Sequence, residues 1–158
     1  GSGVTIKNNT IVLNYINNAA FPQGAGLHVP GGTPIIENNI VALNFGPSRD
    51  TGVGIKCATG NGAVQLSCND VWGNDIDYQL LVGCDTTGLG NISIDPKFCD
   101  LDRGDFTLDF SSPCTAENAP DCGLIGAFPV ACDYAPARTV SWGLLKRLFS
   151  QPSEGRVR

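Results

Sequence analysis

A block of ten residues recurs along this chain at a constant step of 30. IKNNTIVLNY begins at Ile6, IENNIVALNF at Ile36 and LSCNDVWGND at Leu66. Asn9, Asn39 and Asn69 align, and so do Asn14, Asn44 and Asn74. Ile6, Ile36 and Leu66 share one position, and Ile11, Val41 and Val71 another. A second element sits between the blocks, GAGLHV at 24–29 and GVGIKC at 52–57, at a step of 28. A repeat of this length is one supersecondary unit that cannot bury its apolar face alone, so copies must stack.

The apolar runs are short, rich in β-branched residues and broken by Gly, Pro and Asn, which excludes long helices. Within a block, Ile36, Asn38 and Ile40 are expected on one face of a strand, with Glu37 and Asn39 on the other. Strands at a constant offset pair in parallel with the next copy. The repeated Asn suits a sharp bend: its amide bonds the backbone and the Asn one copy away, and it tolerates left-handed angles. The competing reading, Asn-Asn as a hairpin turn in an antiparallel sandwich, does not account for so many aligned positions. The expected fold is all-β, a parallel β-solenoid of about three coils. It carries a C-terminal cap and a short terminal α-helix.

Residues 1–94 are assigned to the coils, with a longer loop through Tyr78 and Gly83 in the third. Residues 95–132 form a cap, in which Phe98, Phe106, Leu108, Phe110, Leu124, Ile125 and Phe128 cover the end of the stack. Residues 133–140 read as a linker and 141–158 as a basic amphipathic helix and tail. In the last, Ser141 caps the segment WGLLKRLF, and Trp142, Leu145 and Phe149 share one side. The chain lacks Met and opens directly on strand-like sequence, which suggests the C-terminal part of a longer protein, the rest of that chain being one expected partner.

Charge is uneven. Residues 1–137 hold 14 acidic and 5 basic residues, whereas 138–158 hold 5 basic residues and one acid, Glu154. A net charge of −5 argues against a general nucleic-acid binder, and no apolar run is long enough to span a membrane. The seven cysteines, Cys57, Cys68, Cys84, Cys99, Cys114, Cys122 and Cys132, include no C-x-x-C pair, and His28 is the sole histidine. That disfavours zinc and favours disulfides in an oxidising compartment, with an odd thiol left over. Cys114 with Cys122 is the nearest candidate pair. Cys99 with Cys132, and Cys57 or Cys68 with Cys84, are further ones.

The blocks PIIENNIVALN, GVGIKC and SCNDVWGND resemble the right-handed parallel β-helix proteins of the pectate-lyase-like superfamily. The later stretch has Asp95-Pro96-Lys97-Phe98, Gly104-Asp105-Phe106-Thr107-Leu108, Ser112-Pro113 and Ile125-Gly126-Ala127. It is similar to the closing segment of many secreted bacterial proteins of this kind. The resemblance covers about residues 4–132 and implies a secreted or cell-surface location. It implies fold more than activity, because the family contains lyases, hydrolases, adhesins and proteins without known activity.

Chemistry is sparse. The body carries only Lys7, Arg49, Lys56, Lys97 and Arg103 as bases, and no aligned positions give an acid pair with a base. The expected function is therefore a non-catalytic extracellular scaffold, for surface adhesion or carbohydrate contact. The alternative is the tail of a polysaccharide lyase or glycoside hydrolase whose site lies in upstream coils. Trp72, Asp75, Asp77 and Tyr78 form the candidate ligand surface, because aromatic rings stack on sugars and carboxylates bond hydroxyls. A polysaccharide or cell-surface glycan is the implied partner, and no cofactor is required. Asp100, Asp102 and Asp105 offer oxygens at alternating positions and are weak calcium candidates. Asn8 and Asn91 match the glycan-acceptor pattern.

Overall fold

The computed structural model describes residues 3–17, 24–47, 51–57, 64–80, 84–85 and 90–132. The expected linker and terminal helix, 133–158, lie outside the described residues.

Each 30-residue unit contributes one short strand to each of three parallel sheets. The first unit holds β1 (Thr5–Lys7), β2 (Thr10–Val12) and β3 (Gly24–Val29). The second holds β4 (Ile35–Glu37), β5 (Ile40–Ala42) and β6 (Val53–Cys57). The third holds β7 (Val64–Ser67), β8 (Asp70–Trp72) and β9 (Ile76–Leu80), and β10 (Cys84–Asp85) follows. The sheets are ordered β1-β4-β7-β10, β2-β5-β8 and β3-β6-β9. Register follows the sequence repeat: Ile6 faces Ile36 and Ile36 faces Leu66, while Ile11 faces Val41 and Val41 faces Val71. The pairing is parallel throughout these sheets, not antiparallel.

One expectation needs correction. Residues 36–40 do not form a single alternating strand. Asn38 takes a left-handed backbone (φ 54°) and splits the run into β4 and β5. Ile36 and Val41 therefore enter one core cluster, while Ile40 faces the opposite way into a second. Left-handed backbone recurs at Asn8, Asn38 and Cys68 and again at Leu13, Leu43 and Gly73. The bend residue is thus the one before each repeated Asn, not the repeated Asn itself. Leucine in this conformation costs about 1–2 kcal/mol, so the packing around the bend must offset it.

The repeated asparagines form two ladders. In the first, the backbone N–H and Nδ2 of Asn9 both donate to Asn39 Oδ1 (3.0 and 2.9 Å), and Asn39 does the same to Asn69 (3.1 and 3.0 Å). Asn69 passes the pattern to Asn91 (both 3.0 Å). In the second, Asn14 donates to Asn44 and Asn44 to Asn74 in the same way. It ends on Asp77 Oδ1, which accepts from Asn74 N and Nδ2 (3.1 and 3.0 Å). From Asn39 and Asn44 onward, each asparagine Nδ2 also donates to a carbonyl of the preceding unit, as Asn39 does to Ile6 O and Asn69 to Ile36 O. Asn39, Asn44 and Asn69 are wholly buried, which is tolerable only because these bonds satisfy them.

The inner core is Val29, Ile36, Val41, Ile55, Cys57, Val64, Leu66 and Val71. Burial of each large aliphatic there contributes about 1.5–3 kcal/mol. Tyr78 lies in β9 and packs on this core, not in a loop.

Residues 98–132 form β11 (Phe98–Asp100), a 3-10 turn (Leu101–Arg103), β12 (Asp105–Asp109) and β13 (Val130–Cys132). This segment covers the outer flank of the β2-β5-β8 sheet. Leu108, Cys114 and Ile125 pack on Ile40 and Ala42, with Leu124 and Phe98 beside them. Asn38 Nδ2 donates to Cys122 O and Leu124 O (2.7 and 3.0 Å), and Ala127 N donates to Thr10 Oγ1 (3.0 Å). A β-carbon on Gly126 would lie 2.7 Å from Ile40 Cδ1, so only glycine fits this approach. Phe110 (65% exposed) and Phe128 (40%) stay on the surface instead of covering the stack.

Three disulfides join Cys57 to Cys84, Cys68 to Cys122 and Cys99 to Cys132. The Cys114–Cys122 pair expected from spacing does not form. Cys122 lies instead beside the bend residue Cys68, and Cys114 is buried and free. No helix of the described residues is long and apolar enough to cross a membrane.

Two predictions follow from these contacts. Asn39→Ala leaves buried donors and acceptors unmet and is expected to lower unfolding free energy by about 3 kcal/mol or more. Asn9→Ala, at an exposed position, is expected to cost under about 1 kcal/mol, and urea titration of both variants checks the difference. Thiol titration should detect no reactive cysteine in the folded chain and one, Cys114, in denaturant. A second thiol would contradict the pairing.

Candidate functional site

The flank segment and the third repeat enclose a groove of about 500 Å³. It is lined by Leu43, Trp72, Asp95, Lys97, Phe98, Leu101 and Ser111. Local chain geometry builds it. Trp72 ends β8 in register with Ala42, so its side chain leaves the outer face of that sheet. Leu43 reaches the groove from a left-handed bend. Lys97 also has a left-handed backbone (φ 52°), and its N–H is held by Asp95 Oδ1 at 2.9 Å. Lys97 Nζ donates to Ser111 O and Oγ, both at 3.1 Å. The groove thus has an apolar floor that includes the rings of Trp72 and Phe98, and a rim of ammonium, carboxylate and hydroxyl groups.

The four residues of the candidate ligand surface do not share this groove. Trp72 lines it and packs at the edge of the second cluster. Asp75 Oδ2 accepts from Gly46 N at 2.8 Å, tying two repeats together. Asp77 ends the second asparagine ladder, and its other oxygen accepts from Ser93 Oγ at 2.8 Å. Tyr78 faces the inner core, where its hydroxyl is buried with no hydrogen-bond partner among the described residues. Burial, with Asp70 and Asp77 adding to it, raises the Tyr78 pKa well above the usual tyrosine value. Asp75, Asp77 and Tyr78 thus make contacts within the fold, and Trp72 lines the groove. Lys97, Asp95 and Ser111 were missed because groove residues 23 or more positions from Trp72 carry no local pattern that links them to it.

Two of the calcium candidates, Asp100 and Asp105, bond neighbouring residues, and Asp102 lies in the 3-10 turn between them. Asp100 Oδ1 accepts from Arg103 N at 3.2 Å, and Oδ2 lies 3.6 Å from Arg103 Nη1. Asp105 Oδ1 accepts from Thr107 N and Oγ1, bonds that hold its pKa below the usual carboxylate value. Among the described residues no three His, Cys, Asp or Glu side chains gather to hold a metal ion. Asn91, read as a glycan acceptor, uses Oδ1 to end the first ladder and Nδ2 to bond Leu66 O at 2.7 Å. His28 is half-buried in β3 opposite Lys56.

One titratable pair escaped the sequence reading. Asp70 begins β8 and is fully buried under the flank segment. Its Oδ2 accepts from Cys114 Sγ at 3.1 Å and its Oδ1 from Ile94 N at 3.2 Å. Desolvation raises its pKa from 3.8 to about 7, with Asp77 and Asp95 adding to the rise while the two hydrogen bonds oppose it. Burial and the Asp70 carboxylate push the Cys114 thiol well above its usual value, so it is not a nucleophile.

No family model, no curated protein and no solved structure matches the chain.

Asp70 generates a pH prediction. The unfolded carboxyl loses its proton near pH 4 and the folded one near pH 7, so the folded state binds more protons between those values. Its contribution to stability is complete below pH 4 and is lost as pH rises through about 7. The loss is at most about 4 kcal/mol. Denaturant unfolding from pH 4 to pH 9 should show this decline, and Asp70→Asn should flatten it. An unchanged slope in the variant would assign the decline to other groups.

Proposed function

We propose that this chain is a non-catalytic extracellular module that contacts carbohydrate in the groove beside Trp72. We read the fold as a right-handed parallel β-helix. Three parallel sheets visited in turn by each 30-residue unit support that reading, as does the strong preference of parallel crossovers for the right hand. The three disulfides support a secreted or cell-surface location, since such bonds persist in oxidising compartments. The resemblance set out above supports a bacterial source.

The observation that carries the ligand reading is the groove itself. Trp72 supplies an apolar ring of the kind that packs on a sugar face, and Lys97, Asp95 and Ser111 supply hydrogen-bonding groups at its rim. The carboxylates of the third repeat support a binding role over a catalytic one. Asp75 and Asp77 are engaged in holding backbone and ladder, and Asp70 is buried away from solvent.

A glycan array scored for retention and for product release tests this. Binding without product, weakened at least tenfold by Trp72→Ala in a variant with unchanged circular dichroism, is the expected result. Release of shortened glycans would replace the reading with a hydrolytic or eliminative one. Retention unaffected by Trp72→Ala would move the site elsewhere.

A further inference from the structure

We propose that the groove beside Trp72 is the docking site of this chain's own basic segment, residues 141–149, which lie outside the described residues. The segment seats Trp142, Leu145 and Phe149 on the groove floor, and any outside ligand must displace it. The inference rests on the groove and on where the chain leaves the flank segment. It stands whether or not the outside ligand is carbohydrate.

Three observations point to this occupant. First, β13 delivers the chain to the groove. Cys132 O accepts from Phe110 N at 2.9 Å, and Ser111, the next residue along, lines the groove. Cys132 is also bonded to Cys99, which sits between the groove residues Phe98 and Leu101 in sequence. Residues 133–140 span at most about 28 Å when extended, so the segment starts within reach of the floor. Second, the apolar surfaces match. Leu43, Trp72, Phe98 and Leu101 line the groove, and Phe110 beside the exit is 65% exposed. In WGLLKRLF, Trp142, Leu145 and Phe149 fall on one side at helical spacing. An isolated helix of that length is not stable in water, so its apolar side needs a surface to form against. Third, the charges are opposite. Residues 138–158 hold five basic residues and one acid, against 14 acids and 5 bases in 1–137. Asp95 lines the groove, and Asp102 and Asp105 are exposed in the turn and strand that follow Leu101. The Lys97 ammonium is drawn to Ser111, and Arg103 lies against Asp100. Asp95, Asp102 and Asp105 are therefore placed to meet Lys146 and Arg147.

Covalent attachment selects this segment over a separate partner. A short linker holds its two ends at an effective concentration of about 1 mM. A contact with a Kd of about 0.1 mM, weak for two separate molecules, then fills about nine-tenths of the grooves. A short apolar face needs to supply no more than that. An outside ligand of the groove consequently binds about tenfold more weakly than its intrinsic affinity, because only the undocked fraction is open to it. A second copy offers the same segment without the tether and competes only at about millimolar protein.

The test uses the full chain with Trp142→Phe, which leaves Trp72 as the sole tryptophan. Acrylamide quenching of Trp72 emission is expected to rise at least threefold when Leu145→Lys and Phe149→Lys are added. The reverse background, Trp72→Phe, leaves Trp142 alone, and its emission is expected to move to that of a solvent-exposed indole on adding Leu101→Lys. Trp72 quenching unchanged by the segment substitutions, in chains with intact disulfides and circular dichroism, would overturn the inference. So would a Trp142 emission that Leu101→Lys does not move. Shielding of Trp72 that is lost on dilution, together with a dimer in sedimentation, would replace the inference with docking between two copies. No glycan enters these measurements, so failure of the carbohydrate reading and failure of this inference are told apart.

Discussion

The bond from one asparagine to the next is the constraint on which this structure depends. A parallel stack of strands three to six residues long has few hydrogen bonds per strand, and each bend takes peptide groups out of the sheet ladder. The buried amides of Asn39, Asn44 and Asn69 fill that gap. Each side chain accepts from the unit before, donates to the unit after, and bonds a carbonyl across the bend. The ladders also fix register. A unit displaced by one residue would lose both ladders and turn its aliphatic side chains out of the core. Shape, core composition and bend strain all follow from keeping two asparagines aligned at a step of 30.

The ladders determine what the rest of the molecule must do. Because the bend before each ladder turns Ile40 and Ala42 outward, the sheet holding β2, β5 and β8 has an apolar flank that requires cover. The segment from Phe98 to Cys132 supplies it, held by Asn38 at the bend and by the disulfide from Cys122 to Cys68. The groove at Trp72 is the place where this cover and the sheet do not quite meet. Function, on the reading proposed here, arises from the seam between a repetitive body and a non-repetitive flank.

How much of this was legible in the sequence follows from which interactions repeat. Aligned Asn and aliphatic positions predicted the parallel pairing and the ladder contacts, because each copy reports the same environment. Asn91 and Asp77 were not recognised as ladder ends, since they join at offsets of 22 and 3. The division of residues 36–40 into two strands was hidden, because alternation and a left-handed bend produce similar short apolar patterns. The groove was only partly legible: Trp72 was visible as an aromatic among carboxylates, but Lys97 and Ser111 reach it through the fold alone. Local spacing misled for Cys114 and Cys122, where proximity in sequence outweighed a partner 54 residues away.

That last pairing bears on how the chain is made. Closing a short loop between Cys114 and Cys122 loses less chain entropy than joining Cys122 to Cys68, so random oxidation favours the wrong bond. The native bond requires Cys68 to be already set in its left-handed bend, with the flank segment laid beside it. Burial of Cys114 against Asp70 then withdraws the competing thiol from exchange. Correct oxidation therefore reads out assembly order: the repeats must stack before the flank is locked on. A cell that produces this protein under strongly oxidising conditions, before the third repeat has docked, would accumulate the mispaired form.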